Sequence, residues 1–182
     1  IMEEKSIENA VQSIIDHWGR LDVAVANAGF GVFGSIHMLS AKDWERQLRG
    51  NVIGLALTVK YALPHLKQNQ GRIGLVGSVG AYLPNPNVGA YGASKAAVHS
   101  IGLTLQVELM GTGVSCTTIH PGFVVSEIAR IDNEERLDLR VEELLEFFIR
   151  ILELVLLLCV DLDEVKVVVL EVRHLKVWRE NR

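Results

Sequence analysis

Tyr91 and Lys95 stand four residues apart in the run Tyr91-Gly92-Ala93-Ser94-Lys95. On a helix that spacing puts both side chains on one face. A free phenol titrates near about 10 and exchanges protons poorly at neutral pH. A cation held beside it favours the phenolate and lowers that value. The pair is therefore one way to make a general acid/base from a weak one. Ser78, thirteen residues upstream of Tyr91, could hydrogen-bond a reacting oxygen and steady the charge that develops on it. Taken singly, each residue has an ordinary explanation. Tyr-x-x-x-Lys is a common surface pair, Ser78 suits a turn, Asn51 is a helix-surface amide, and Asn27 is a turn former.

The elements that must position these groups follow from periodicity. Ile7, Val11, Ile14, Ile15 and Trp18 mark one helix face, with Ser6 as its cap and Gly19 as its stop. Leu21 to Ala26 is a short apolar run that fits a buried strand. Ser40 and Asp43 have capping-box spacing and open a helix striped by Trp44, Leu48, Val52, Leu55, Val59 and Leu63. Gly71 closes that connection, and Ile73 to Val76 form a second strand. A helix from Gly89 carries Val98, Ile101, Leu105 and Leu109 on one face, and Val114 to Ile119 form a third strand. Beyond them, Val141 to Leu158 fits a helix and Val165 to Val172 a strand. This alternation predicts an α/β fold, a doubly wound parallel sheet with helices on both faces. Ligands of such sheets bind beyond the carboxyl ends of the strands. Those ends are Asn27-Ala28-Gly29, Gly77-Ser78 and His120-Pro121-Gly122.

Composition narrows the function classes. With 182 residues, 49% of them apolar, the chain can bury a full core. A net charge of −4 argues against general affinity for nucleic acid or an anionic membrane. The longest apolar run, Leu154 to Val160, falls short of the roughly 20 residues that span a bilayer. Cys116 and Cys159 sit in apolar runs without metal-ligand spacing and read as reduced thiols, which suits a soluble, cytoplasmic protein with no metal site. The composition shifts near residue 126. All 16 Gly and all 4 Pro precede it, and residues 127–182 hold no Ser or Thr and carry 9 Lys and Arg against 14 Asp and Glu. The expected division is thus a catalytic part, 1–126, and a C-terminal helix and strand of the same domain, 127–182.

Residues 6–126 resemble the classical branch of the short-chain dehydrogenase/reductase family, a group of Rossmann-like NAD(P)-dependent oxidoreductases. The resemblance rests on Asn27-Ala28-Gly29, Asn51, Ser78, Tyr91-x-x-x-Lys95 and Pro121-Gly122. It implies hydride transfer between NAD or NADP and a small carbonyl or alcohol substrate. In that scheme Tyr91 is the general acid/base, Lys95 lowers its pKa and binds the nicotinamide ribose, and Ser78 holds the substrate oxygen. Asn51 positions a relay water. Asn27, Ala28 and Gly29 line the cofactor pocket, and Pro121, Gly122, Val124 and Ser126 meet the nicotinamide. The segment Val79 to Val88 would line the substrate pocket, where Ala81, Tyr82, Leu83 and Pro84 suit a partly apolar carbonyl compound. The resemblance also implies a homo-oligomer joined through the helices at 41–66 and 89–110. A non-catalytic remnant acting through those helices is the alternative.

The family's first strands, its Gly-rich dinucleotide turn and the residue that selects NAD or NADP have no counterpart here. A dinucleotide's two phosphates need backbone donors at a helix start, which Gly lets approach closely. The nicotinamide end alone offers orientation without anchoring. The missing strands should also leave a sheet edge open to association. The chain by itself is therefore expected not to hold NADH or NADPH. Calorimetric titration checks this, and saturable binding with Kd below about 100 μM would mean that phosphate donors lie elsewhere.

Overall fold

In a computed structural model, the structure describes residues 1–122 together with the strand residues 167–170 and 175–178. Helix α1 (Glu4–Trp18) leads to β1 (Val23–Ala26). Helix α2 (Ala41–Leu48), a π-turn (Arg49–Gly54) and α3 (Leu55–Asn69) then run on without a break to β2 (Arg72–Val76). A 3-10 turn (Val79–Ala81) precedes α4 (Gly89–Glu108) and β3 (Ser115–Ile119). Two further strands, β4 (Val167–Leu170) and β5 (Leu175–Trp178), complete a five-stranded sheet of order β3-β2-β1-β4-β5. Strands β3, β2, β1 and β4 are parallel, and β5 returns antiparallel to β4.

The register decides where the strand ends fall. Ala26 pairs with Leu75, and Leu75 with Thr118. Asn27, Gly77 and His120 therefore emerge at one edge, as the sequence pattern requires. The core beneath the helices joins Ile7, Val11 and Ile14 of α1 to Ala24, Ala26, Ile73, Leu75, Leu66, Val98 and Leu105. Moving from β1 to β2 to β3 in one direction with right-handed crossovers puts α3 and α4 on the same face. Helix α1 packs on α3, and the π-turn packs on α4. The described helices thus make one of the two expected layers. Strand β1 is buried along its whole length, as its apolar run implies.

Several local expectations change. Ser6 does not cap α1; the helix begins two residues earlier, and the Glu3 carbonyl accepts from the Ser6 and Ile7 amides. Glu4 then ties the helix start to Lys60 and Tyr61 of α3. Gly19 does end α1, in the left-handed region at φ 72°. The Ser40–Asp43 capping box is present with both reciprocal bonds. The single helix expected after it is interrupted by the π-turn. Its buried face is Gln47, Asn51, Leu55, Thr58, Ala62 and Leu66, and the expected apolar stripe apart from Leu55 flanks that face half-buried. The left-handed residue closing α3 is Gln70, at φ 51°. Gly71 serves close approach instead, because a Cβ there would strike the Asp22 carbonyl oxygen.

The sheet edge beside β1 is not open, contrary to expectation, because β4 pairs along it. The strand expected over Val165–Val172 is present as β4, parallel to β1, and β5 pairs antiparallel with it as a further strand. The expected helix over Val141–Leu158 lies outside the described residues. No helix among the described residues is long and apolar enough to cross a membrane.

Two glycines separate conformational from steric cost. A Cβ on Gly19 would meet nothing within 4 Å, so Gly19→Ala should cost about 1 kcal/mol for the left-handed backbone alone. At Gly71 the Cβ would also come within 2.9 Å of Leu66 Cδ2, and Gly71→Ala should cost about 3 kcal/mol as the backbone shifts. Urea unfolding of both variants checks the order, and equal losses would show that the Gly71 contact relaxes cheaply.

Candidate active site

Tyr91 sits in the first turn of α4, one turn before Lys95 on the same face. Lys95 is 4% exposed, and its ammonium lies 5.9 Å from the Tyr91 ring centroid and donates to the Val76 carbonyl oxygen at 2.8 Å. Burial pushes its pKa down to about 8. The Tyr91 phenol is held above its ordinary value by burial, and a hydrogen bond with Ser78 opposes that rise. Lys95 was expected to lower the Tyr91 pKa. In this geometry the ammonium is turned to the end of β2, and the group acting against burial is Ser78.

Ser78 caps the 3-10 turn, its Oγ accepting from the Gly80 amide at 3.0 Å. The strand ends are laced together. The Gly77 amide donates to the Ile119 carbonyl at 2.7 Å and the Val79 amide to the Pro121 carbonyl at 3.0 Å. Pro121 thus stands beside the segment that carries Ser78. Gly122 follows it, exposed, whereas Val124 and Ser126 lie outside the described residues.

Asn27, Ala28 and Gly29 leave β1 half-buried at the same edge. A Cβ on Gly29 would stand 3.1 Å from Asn51 Oδ1 and 3.6 Å from Lys95 Nζ. Gly29, Asn51 and Lys95 therefore meet around a gap that only a bare backbone leaves. The Asn51 side chain holds the loop after β1. Its Oδ1 accepts from the Phe30 amide at 3.0 Å, and its Nδ2 donates to the Phe30 carbonyl at 2.9 Å and to Ser94 Oγ at 3.0 Å.

Two positioning residues escaped the sequence reading. Gln47, one turn before Asn51, accepts from the Val32 amide at 2.6 Å and donates to the Phe30 carbonyl at 2.9 Å. Ser94 Oγ accepts from Asn51 and donates its own hydroxyl hydrogen bond to the Tyr91 carbonyl at 2.7 Å. The available signal was a polar residue on what had to be a buried helix face. Phe33 is a third addition, its ring centroid 6.2 Å from that of Tyr91. Cys116 is a free thiol whose pKa burial pushes up to about 11, which keeps it protonated and unreactive at neutral pH.

The arrangement can donate a proton from a phenol to a substrate oxygen, with a serine hydroxyl beside it and a cation within reach. The family model described as short chain dehydrogenase matches residues 1–137. Glucose 1-dehydrogenase 2 of Bacillus subtilis is 32% identical over 130 residues, 70% of this chain and 50% of that protein. The NADP-dependent 3-hydroxy acid dehydrogenase of Escherichia coli is 33% identical over 126 residues, 68% of this chain and 51% of that protein. Carveol dehydrogenase from Mycobacterium avium, solved in complex with NAD, superposes with TM-score 0.67 at 30% identity, covering 70% of this chain and 47% of that one. The chain spans about half the length of the curated relatives it matches. With a Rossmann-like α/β fold and a Tyr-x-x-x-Lys pair at the carboxyl ends of its strands, this chain belongs to the short-chain dehydrogenase family.

Proposed function

We propose that this chain carries the catalytic centre of an oxidoreductase that transfers a hydride between NAD or NADP and a carbonyl or alcohol carbon, with Tyr91 as general acid/base. The observation that carries this reading is the meeting of Ser78, Tyr91 and Lys95 beside the bare backbone of Gly29. The gap at Gly29 and the remaining N–H groups of Lys95 suit the hydroxyls of a nicotinamide ribose. Phosphate anchors have no such support among the described residues. Helix α1 opens on Glu3 and Glu4 and α2 on Asp43, carboxylates that disfavour an anion, and the first turn of α4 carries Tyr91 itself. The relatives include both an NADP-dependent enzyme and one solved in complex with NAD, so the reading extends to either cofactor.

A nicotinamide bound there would supply the hydride in reduction and accept it in oxidation. The Ser78 hydroxyl would hydrogen-bond the substrate oxygen. In reduction Tyr91 gives its proton to that oxygen as the carbonyl becomes an alcohol, and in oxidation it takes the proton back. A phenol held above its ordinary pKa starts in the acid form that reduction needs. The Ser78 hydroxyl, which already opposes the rise in the Tyr91 pKa, would stabilise the phenolate left behind, and the Lys95 ammonium would add to this by turning from the Val76 carbonyl. A relay water at Asn51 would draw on the second lone pair of Oδ1, since both Nδ2 hydrogens are committed. Exposed Ile53, Leu103, Val107 and Met110 support an oligomer contact on the helices at 41–66 and 89–110.

In any form of the protein that turns over a carbonyl substrate, Tyr91→Phe should lower kcat at least about a hundredfold. Ser78→Ala should remove about 2.7–4 kcal/mol of transition-state stabilisation. Steady-state kinetics decide both, and turnover near that of the parent in the Phe variant removes Tyr91 from the mechanism.

The buried ammonium also couples folding to pH. Lys95 is lowered from its ordinary 10.5 to about 8. Between those values the unfolded chain binds more protons than the folded one, so stability contributed by this group rises with pH. Buried Tyr91 and Cys116, both raised, act in the opposite sense at alkaline pH. The comparison is therefore against Lys95→Met. The parent should gain on the variant from pH 8 upward, with no change in the difference below pH 7. A flat difference across pH 7–10 would show that the ammonium is solvated.

A further inference from the structure

Tyr82, His99 and His120 come from the 3-10 turn, the middle of α4 and the end of β3, and their rings meet. Each ring centroid lies 5.1 Å from the other two. The Tyr82 hydroxyl is 2.8 Å from His99 Nδ1 and 3.2 Å from His120 Nε2. One hydroxyl has one hydrogen, so it can donate to only one of the two imidazoles that converge on it. The other ring nitrogen of His120, Nδ1, lies 3.3 Å from the Ser78 carbonyl oxygen. A hydrogen on Nδ1 meets that carbonyl and leaves the Nε2 lone pair facing Tyr82. This is the outer bond that metal-ligating histidines use to fix tautomer and ring orientation.

We propose that His99 and His120 bind one divalent transition-metal ion of the zinc type, through Nδ1 of His99 and Nε2 of His120. The Tyr82 oxygen is the third donor and water the fourth. Two imidazoles on one tetrahedral ion, at metal–nitrogen distances of about 2.0–2.1 Å, place their ring centroids about 5 Å apart. That is the separation already present. Both imidazole nitrogens point at the Tyr82 oxygen, so an ion near it meets both lone pairs after a small rotation of the exposed phenol. Among the described residues no group of three or more His, Cys, Asp and Glu converges, which leaves the phenol as the third protein donor. The sequence reading found no metal set because the three donors come from separate elements. Binding would tie Tyr82 and the end of β3 to α4, and so stiffen the strand end that presents Ser78.

The test is calorimetric titration of the chain with zinc chloride at pH 7.5. One saturable site is expected. His99→Ala and His120→Ala should each weaken it at least tenfold, Tyr82→Phe by a smaller factor, and His17→Ala not at all. Far-UV circular dichroism reports whether each variant is folded. Should His120→Ala not fold, His99→Asn on the half-exposed side of α4 decides by itself. No saturable uptake up to about 1 mM zinc, or uptake unchanged in the His99 and His120 variants, overturns the proposal.

Discussion

The backbone of Phe30 must be satisfied where it is buried, and the rest of the site is arranged around how that is done. Its amide and carbonyl leave β1 with no ladder partner, and Asn51 and Gln47 supply the bonds. A buried amide or carbonyl left without a partner costs about 1–3 kcal/mol. Both carboxamides sit on one helix face, and Asn51 also reaches Ser94 on α4. One network therefore joins the end of β1, the α2–α3 helix and the helix that bears Tyr91. No buried side-chain polar atom among the described residues lacks a partner, so the network is closed.

That closure explains why the helix turns polar residues inward. An apolar stripe would ordinarily face the core. Here Gln47, Asn51 and Thr58 take the buried face, and Trp44, Leu48, Val52, Val59 and Leu63 are displaced to its flank. The π-turn at Arg49–Gly54 lies where the helix passes the loop after β1 and α4. Insertions of this kind occur mostly at functional sites.

Burial also sets the chemical character of the site. Lys95 is enclosed with one backbone carbonyl as its partner, and its affinity for a proton falls accordingly. Tyr91 is enclosed too, and its affinity for a proton rises. The same cause moves the two groups apart, Lys95 down from 10.5 to about 8 and Tyr91 up from 10.0, because the charged form is ammonium in one and phenolate in the other.

Much of this was legible in the chain. Alternating patterns give the strands and helices, Gly19 and the Ser40–Asp43 box mark helix ends, and Tyr91-x-x-x-Lys95 puts a phenol and an ammonium on one helix face, because each is a local property of a few adjacent residues. What tertiary structure decided depends on contacts between distant segments. Which helix face is buried follows from the Phe30 loop, 17 to 21 residues away from the amides that hold it. Which way Lys95 points follows from the carbonyl that β2 presents, 19 residues upstream. That β4 lies beside β1 follows from long-range pairing, since a short apolar run carries no record of its neighbour. The meeting of Tyr82, His99 and His120 has the same origin: sequence sets the identity of each ring, and only the packing of a turn, a helix and a strand end brings them within hydrogen-bond reach.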